Sequence, residues 1–246
     1  MKEEIFNRKT LHWYMVIIAV IIVLIAAIII MIKYSVEGEK KLPFQIREIN
    51  IISTAVGKEA KDENGDWYTD LAQKNDVYVY LDKNDNYKKE AILRKIEFTN
   101  FIVTKETDKG KVEIYRPCSE DGFEYKEEYL ITDSLEYKGA VKTDSKELKI
   151  NNQGGLVGFS ILTSDIGRYY FSQNEVFEMD GTLLNKVEIK EEDIIFKVSF
   201  DIIIETETGL KFKANYTLNL PEENILEEGI INTKDTELSK LIFKRF

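Results

Sequence analysis

Residues 194–220, IIFKVSFDIIIETETGLKFKANYTLNL, alternate apolar and polar side chains on both sides of a Thr206-Glu207-Thr208-Gly209 break. Ile194, Phe196, Val198, Phe200, Ile202 and Ile204 share one face of the first half, against Lys197, Ser199, Asp201 and Glu205. Leu210, Phe212, Ala214, Tyr216, Leu218 and Leu220 do the same in the second, against Lys211, Lys213, Asn215, Thr217 and Asn219. Successive side chains of a strand point to opposite faces, so each half reads as a strand with one buried face. The glycine-containing break joins them as an antiparallel hairpin. Pro221 has no amide to donate and ends the second strand.

Working outward, weaker versions of the pattern predict strands at 46–52, 77–81, 92–103, 112–115, 129–137, 148–150, 156–162 and 187–189. The separators 62–66 (DENGD), 82–86 (DKNDN), 108–110 (DKG) and 151–155 (NNQGG) carry turn chemistry. Amphipathic helical stretches are scarce: 88–95 is one, and 236–243 reads equally as a helix or a closing strand. Many short strands joined by turns predict an all-β fold, an antiparallel β-sandwich over residues 44–246, rather than βαβ units.

The amino-terminal end obeys a different rule. Residues 15–32 hold thirteen Ile, Val or Leu, three Ala and two Met, with no charge, Gly or Pro. As a helix this run rises about 27 Å, close to the hydrocarbon thickness of a bilayer. Twelve of its residues are β-branched and would make a poor helix in water. In lipid the backbone must satisfy itself, and helix is imposed. Trp13 and Tyr14 before the run and Tyr34 after it stand where interfacial aromatics stand. The expected organisation is a cytoplasmic tail (1–10), a transmembrane helix (11–34), a polar linker (35–43) and an extracytoplasmic domain (44–246). The run exceeds the usual signal-peptide core, and Val36 and Gly38 make a poor cleavage site, which favours a retained anchor. Basic residues are nearly balanced across the span (Lys2, Arg8 and Lys9 before it; Lys33, Lys40, Lys41 and Arg47 after it), so the tail-inside orientation rests on the length of the following domain.

Charge and missing residue types exclude several functions. Residues 34–246 carry thirty basic and forty-two acidic side chains, which disfavours a nucleic-acid partner. The one histidine, His12, precedes the apolar run, so the large domain cannot assemble a Ser-His-Asp or Cys-His triad or a histidine-bearing zinc site. Cys118 has no identifiable base and reads as a buried or idle thiol. Asp62-x-Asn64-x-Asp66 and Asp82-x-Asn84-x-Asn86 begin like calcium loops, but Trp67 and Tyr87 stand where glycine is needed and Gln73 and Leu93 where the closing glutamate is. Both read as Asx-rich turns. Gly154-Gly155-x-x-Gly158 lacks the phosphate-cradle pattern and reads as a tight strand entry. Asn215-Tyr216-Thr217 is a glycosylation sequon in mid-strand. Trp67, with Tyr68 beside it, is the candidate ligand or partner contact: loop aromatics stack on sugars and partners, and serve equally as loop anchors.

Leu42-Pro43-Phe44 after the span, the segment 148–155 (LKINNQGG) and Phe200-Asp201-Ile202-Ile203-Ile204 resemble uncharacterised single-pass membrane proteins of AT-rich Gram-positive bacteria, over nearly the whole chain. The resemblance implies an envelope location and carries no activity. The leading expectation is a membrane-anchored, non-enzymatic module that binds or scaffolds at the cell envelope, with the lipid bilayer and an envelope protein or glycan as partners and no cofactor or metal. The alternatives are a carboxylate-based carbohydrate-active enzyme or sugar-binding module, and an accessory subunit whose helix contacts a membrane complex.

Overall fold

The computed structural model describes residues 2–119, 122–140, 148–172, 175–177, 181–221, 224–236, 238 and 241–246. The chain runs through α1 (Lys2–Glu37), β1 (Phe44–Lys61), β2 (Trp67–Lys83), β3 (Leu93–Lys105), β4 (Lys111–Tyr115), a 3₁₀ turn (Glu127–Tyr129), β5 (Ser134–Ala140), β6 (Lys149–Asn151) and β7 (Gly155–Tyr170). It continues through α2 (Gly181–Lys186), α3 (Glu191–Ile194), β8 (Phe196–Thr206), β9 (Lys211–Leu220), α4 (Ile225–Glu228), β10 (Ile230–Asp235) and β11 (Lys244–Arg245).

The protein is mostly β-sheet. The 194–220 hairpin is β8–β9, paired from Phe196↔Leu220 to Glu205↔Lys211, and Pro221 follows its last residue. One sheet has the order β10-β1-β2-β7-β4 and the other β11-β9-β8-β3-β5-β6. Among the described residues all strand pairings are antiparallel except β5 with β6, a three-residue parallel pair. That exception arises because Leu148–Ile150 returns to the edge already used by β5, where Lys138 N donates to Leu148 O (3.0 Å). The inward faces of both sheets feed one apolar core. Phe159 of the first sheet lies 5.4 Å from Phe98 and 5.2 Å from Phe200 of the second, centroid to centroid and edge-on. Tyr137 of β5 also reaches across: its hydroxyl donates to Gly158 O and accepts from Gly158 N, at the edge of β7 beyond the end of β4.

The first sheet is longer. β1, β2 and β7 have 18, 17 and 16 residues against 13, 11 and 10 for β3, β8 and β9. Its projecting inner face would otherwise be wet, and α2, α3 and α4 cover it with a second apolar cluster. Leu183, Leu184, Ile189, Ile194, Ile225 and Leu226 pack there on Ala55, Leu71 and Ile166. Between the two cores runs a layer of fully buried polar side chains, Ser53, Gln73, Asn75 and Thr163, on neighbouring register positions. Ser53 Oγ donates to Asn75 Oδ1 (2.6 Å), whereas Gln73 Oε1 and Thr163 Oγ1 have no partner among the described residues.

Several sequence expectations are corrected. Residues 88–95 form no helix; they lead into β3, with Leu93 N donating to Asn152 O and Ile92 O accepting from Glu207 N, so tertiary pairing overrides local propensity. Residues 129–137 divide into the 3₁₀ turn and β5. Residues 187–189 are a helix end, not a strand, and Ile194 belongs to α3 and the second core rather than to β8. The three short helices were not legible as amphipathic stretches because each is a single turn or little more. The 236–243 stretch lies partly outside the described residues, and the closing strand begins just after it, at Lys244.

α1 stands apart. Within it, Thr10–Glu37 is long and apolar enough to cross a membrane, and none of that window is covered by the rest of the described chain. A signal sequence would meet the same criterion. Residues 35–37 continue the helix, and 38–43 are bonded to the body: Glu39 N donates to Phe243 O (2.7 Å) and Asn84 Nδ2 to Leu42 O (2.9 Å).

Candidate functional site

Trp67 opens β2 at the tip of the β1–β2 hairpin, about 60 Å of strand away from the end of α1. The tip is stiff. Asp62 Oδ1 accepts from the amides of Asn64 and Asp66 (both 2.9 Å), and Gly65 turns the chain at φ +86°. In the other Asx turn, Asn84 Oδ1 likewise accepts from Asn86 N (3.0 Å).

Trp67 and Tyr68 are separated by the strand period. Trp67 is half-buried; its ring stacks on Phe171 (6.4 Å) and lies under Lys61 Nζ (4.4 Å). Phe171 continues onto Phe177 (4.7 Å), which reaches Tyr169 (5.5 Å). The result is an aromatic ledge with a cation at its edge. Such a ledge can stack on the apolar face of a sugar ring or on a partner's aromatic side chain. Tyr68 is buried on the other face, packed on Tyr170 (5.6 Å) beneath the Arg168 guanidinium (4.7 Å), whose Nε donates to Asp70 Oδ1 (2.9 Å). Of the pair, Trp67 alone belongs to the ledge; Tyr68 is packing. Phe171, Phe177 and Lys61 join it through sheet register, since Lys61 pairs with Trp67 and Phe171 N donates to Trp67 O (3.1 Å).

The carboxylates with shifted protonation are held in the ionised form. Beside the ledge, Tyr169 OH donates to Glu175 Oε1 (2.7 Å), and with the Ser172 amide it keeps Glu175 below the usual carboxylate range. Asp193 is lowered by the Lys190 amide and by Lys109. Burial pushes Asp201 up, but donors from Asn100 (2.7 Å), Asn215 (3.0 Å) and Lys213 (3.4 Å) outweigh it and leave Asp201 lowered. A glycosidase acid needs the opposite shift, so none of these three is poised as a proton donor. The Asp201 cluster escaped the sequence reading. Its one local signal is Asn100, left-handed at φ +54° where the β3–β8 register slips, a conformation asparagine tolerates.

Asn215 of the sequon is committed to this cluster, with Nδ2 also donating to Phe200 O (3.2 Å). Cys118 directs its thiol to Gly122 O (3.4 Å). Gly154, at φ +117°, admits the chain to β7. Trp13 and Tyr14 lie exposed at one end of the apolar run of α1, and Tyr34, 38% exposed, at the other, about 30 Å along the axis. Tyr34 OH accepts from Arg245 N (2.8 Å).

Compared with family models, curated proteins and solved structures, the chain matches none of them.

Proposed function

We propose that the protein is a single-pass membrane protein whose two sheets form a β-sandwich presented on the extracytoplasmic side, and that it binds or scaffolds at the envelope. The observation that carries this reading is the outward-facing apolar surface of α1. Val, Ile and Leu side chains through residues 16–32 are about half exposed or more, a state that water penalises at roughly 25 cal/mol per Å² and lipid does not. The sandwich is supported by the core both sheets share, and the binding role by the Trp67 ledge at the far end of the longest hairpin. The test is fractionation and protease shaving. The full chain, expressed in cells, should remain in the membrane pellet after alkaline carbonate washing, and protease added to intact cells should remove the body. Recovery in the soluble fraction, or a body protected until lysis, would refute the anchor or its orientation respectively.

A second reading, a sugar-binding module, is favoured by the same ledge. Trp67→Ala should then abolish retention on cell-wall glycan while leaving membrane partition unchanged.

A further inference from the structure

The end of the body nearest α1 carries a groove of about 550 Å³ whose lining includes Lys41, Lys88, Lys89 and Arg245, all exposed. Among the described residues, none of these four has a carboxylate within salt-bridge distance, and the groove has one acidic lining residue, Glu39. Glu39 Oε1 is itself engaged by the Lys41 amide (3.0 Å). Tyr87 and Leu210 give the groove an apolar side. Four cations gathered in one groove, on a domain with an excess of twelve negative charges, run against the composition around them.

Its depth follows from one hydrogen bond. Ile32 ends the apolar run, Tyr34 stands two residues (about 3 Å of helix) beyond it, and the Arg245 amide donates to the Tyr34 hydroxyl. If Ile32 marks the edge of the hydrocarbon, Arg245 and its groove lie at headgroup level, where charges are within a Debye length of the lipid surface. We infer that this groove binds the phosphate headgroup of an anionic phospholipid from the leaflet α1 enters, with the apolar side facing the glycerol. The inference rests on the reading of α1 as a bilayer span. It also supplies what an acidic body needs in order to sit against an anionic surface, since distant acidic residues are screened and the nearest charges decide the contact.

The test uses the full chain in nanodiscs of phosphatidylcholine mixed with phosphatidylglycerol, followed by release and native mass spectrometry of the lipids that stay bound. Phosphatidylglycerol should be retained in preference, and substituting Lys41→Gln, Lys88→Gln and Lys89→Gln should lower that retention about fivefold per lysine. Lys58→Gln, on the far half of β1, should change nothing. A chain that fails to co-elute with the discs overturns the bilayer reading and the groove with it. A chain that co-elutes without lipid preference, or keeps its preference in the triple variant, overturns the groove alone. Displacement of the retained lipid by millimolar glycerol phosphate, which has the headgroup chemistry but no chains, would assign the groove to a soluble anion and also overturn the lipid assignment.

Discussion

Asp201 ties a pH dependence to the stability of the hairpin. Its carboxylate receives Asn100, Asn215 and Lys213, and its folded pKa lies below the unfolded value of about 3.9. A carboxylate lowered on folding contributes stability that is present above the unfolded pKa and lost as pH falls through the folded one. Asp201→Asn should therefore destabilise the body by about 1–2 kcal/mol near neutrality, because the amides of Asn100 and Asn215 lose a charged acceptor. At a pH low enough to protonate the folded carboxylate, the difference from wild type should shrink. Urea titrations at both pH values check this, and a gap that does not close would show that the charge is not the source. Thr163 makes the opposite case: its hydroxyl is fully buried and without a partner among the described residues. Thr163→Val should raise stability by about 1 kcal/mol in the same titration, since an unpaired buried hydroxyl carries a desolvation penalty. A loss of stability would mean that the hydroxyl has a partner after all.

Among elements, those that bury one face over many residues were legible and those stabilised by caps were not. β8 and β9 announce themselves because ten or more residues hold one parity; β1, β2 and β7 were recognised but underestimated. Their far halves line the polar layer and the second core, where Ser53, Gln73 and Asn75 occupy inward positions and break the apolar alternation. The end of α2 is hidden for a different reason. It ends in a Schellman motif, with Ile189 N donating to Leu184 O (3.0 Å) and Glu188 N to Asn185 O (3.0 Å), and with Glu188 left-handed at φ +59°. Glycine normally fills that position, and glutamate there hides the helix stop, so Val187-Glu188-Ile189 reads as alternation. Glu188→Gly should accordingly stabilise the body by about 0.5–1 kcal/mol, the relief of a left-handed Cβ less the added chain entropy. A fall in the unfolding midpoint would contradict the motif. The ledge was half legible: Trp67 is conspicuous as the domain's lone tryptophan, but Phe171 and Phe177 reach it only through the β2–β7 register, which no local pattern encodes.

For the molecule as a whole, the junction between helix and body governs whether the body can hold a fixed attitude to anything α1 is embedded in. Gly38 sits one residue past the helix at φ +70°, its amide donating to Tyr34 O (2.9 Å) as a left-handed cap does. A Cβ at that position would lie 2.5 Å from Phe243 O and 2.7 Å from Ile242 Cγ2, so glycine is required both by the backbone and by the neighbour. The same few residues carry the Glu39–Phe243 and Tyr34–Arg245 bonds. Gly38→Val should therefore break the junction while leaving the strands paired, because the clash falls on the backbone of Phe243, a core residue that lies outside every strand. Hydrogen exchange separates the two effects: the Glu39 and Arg245 amides should exchange about tenfold faster or more, while amides of β8 keep their protection. Unchanged exchange at Glu39 would mean that the body swings freely on residues 38–43 already. In that event a groove at headgroup level could not be held there by the helix, and any lipid it kept would have to be captured by the groove's own affinity.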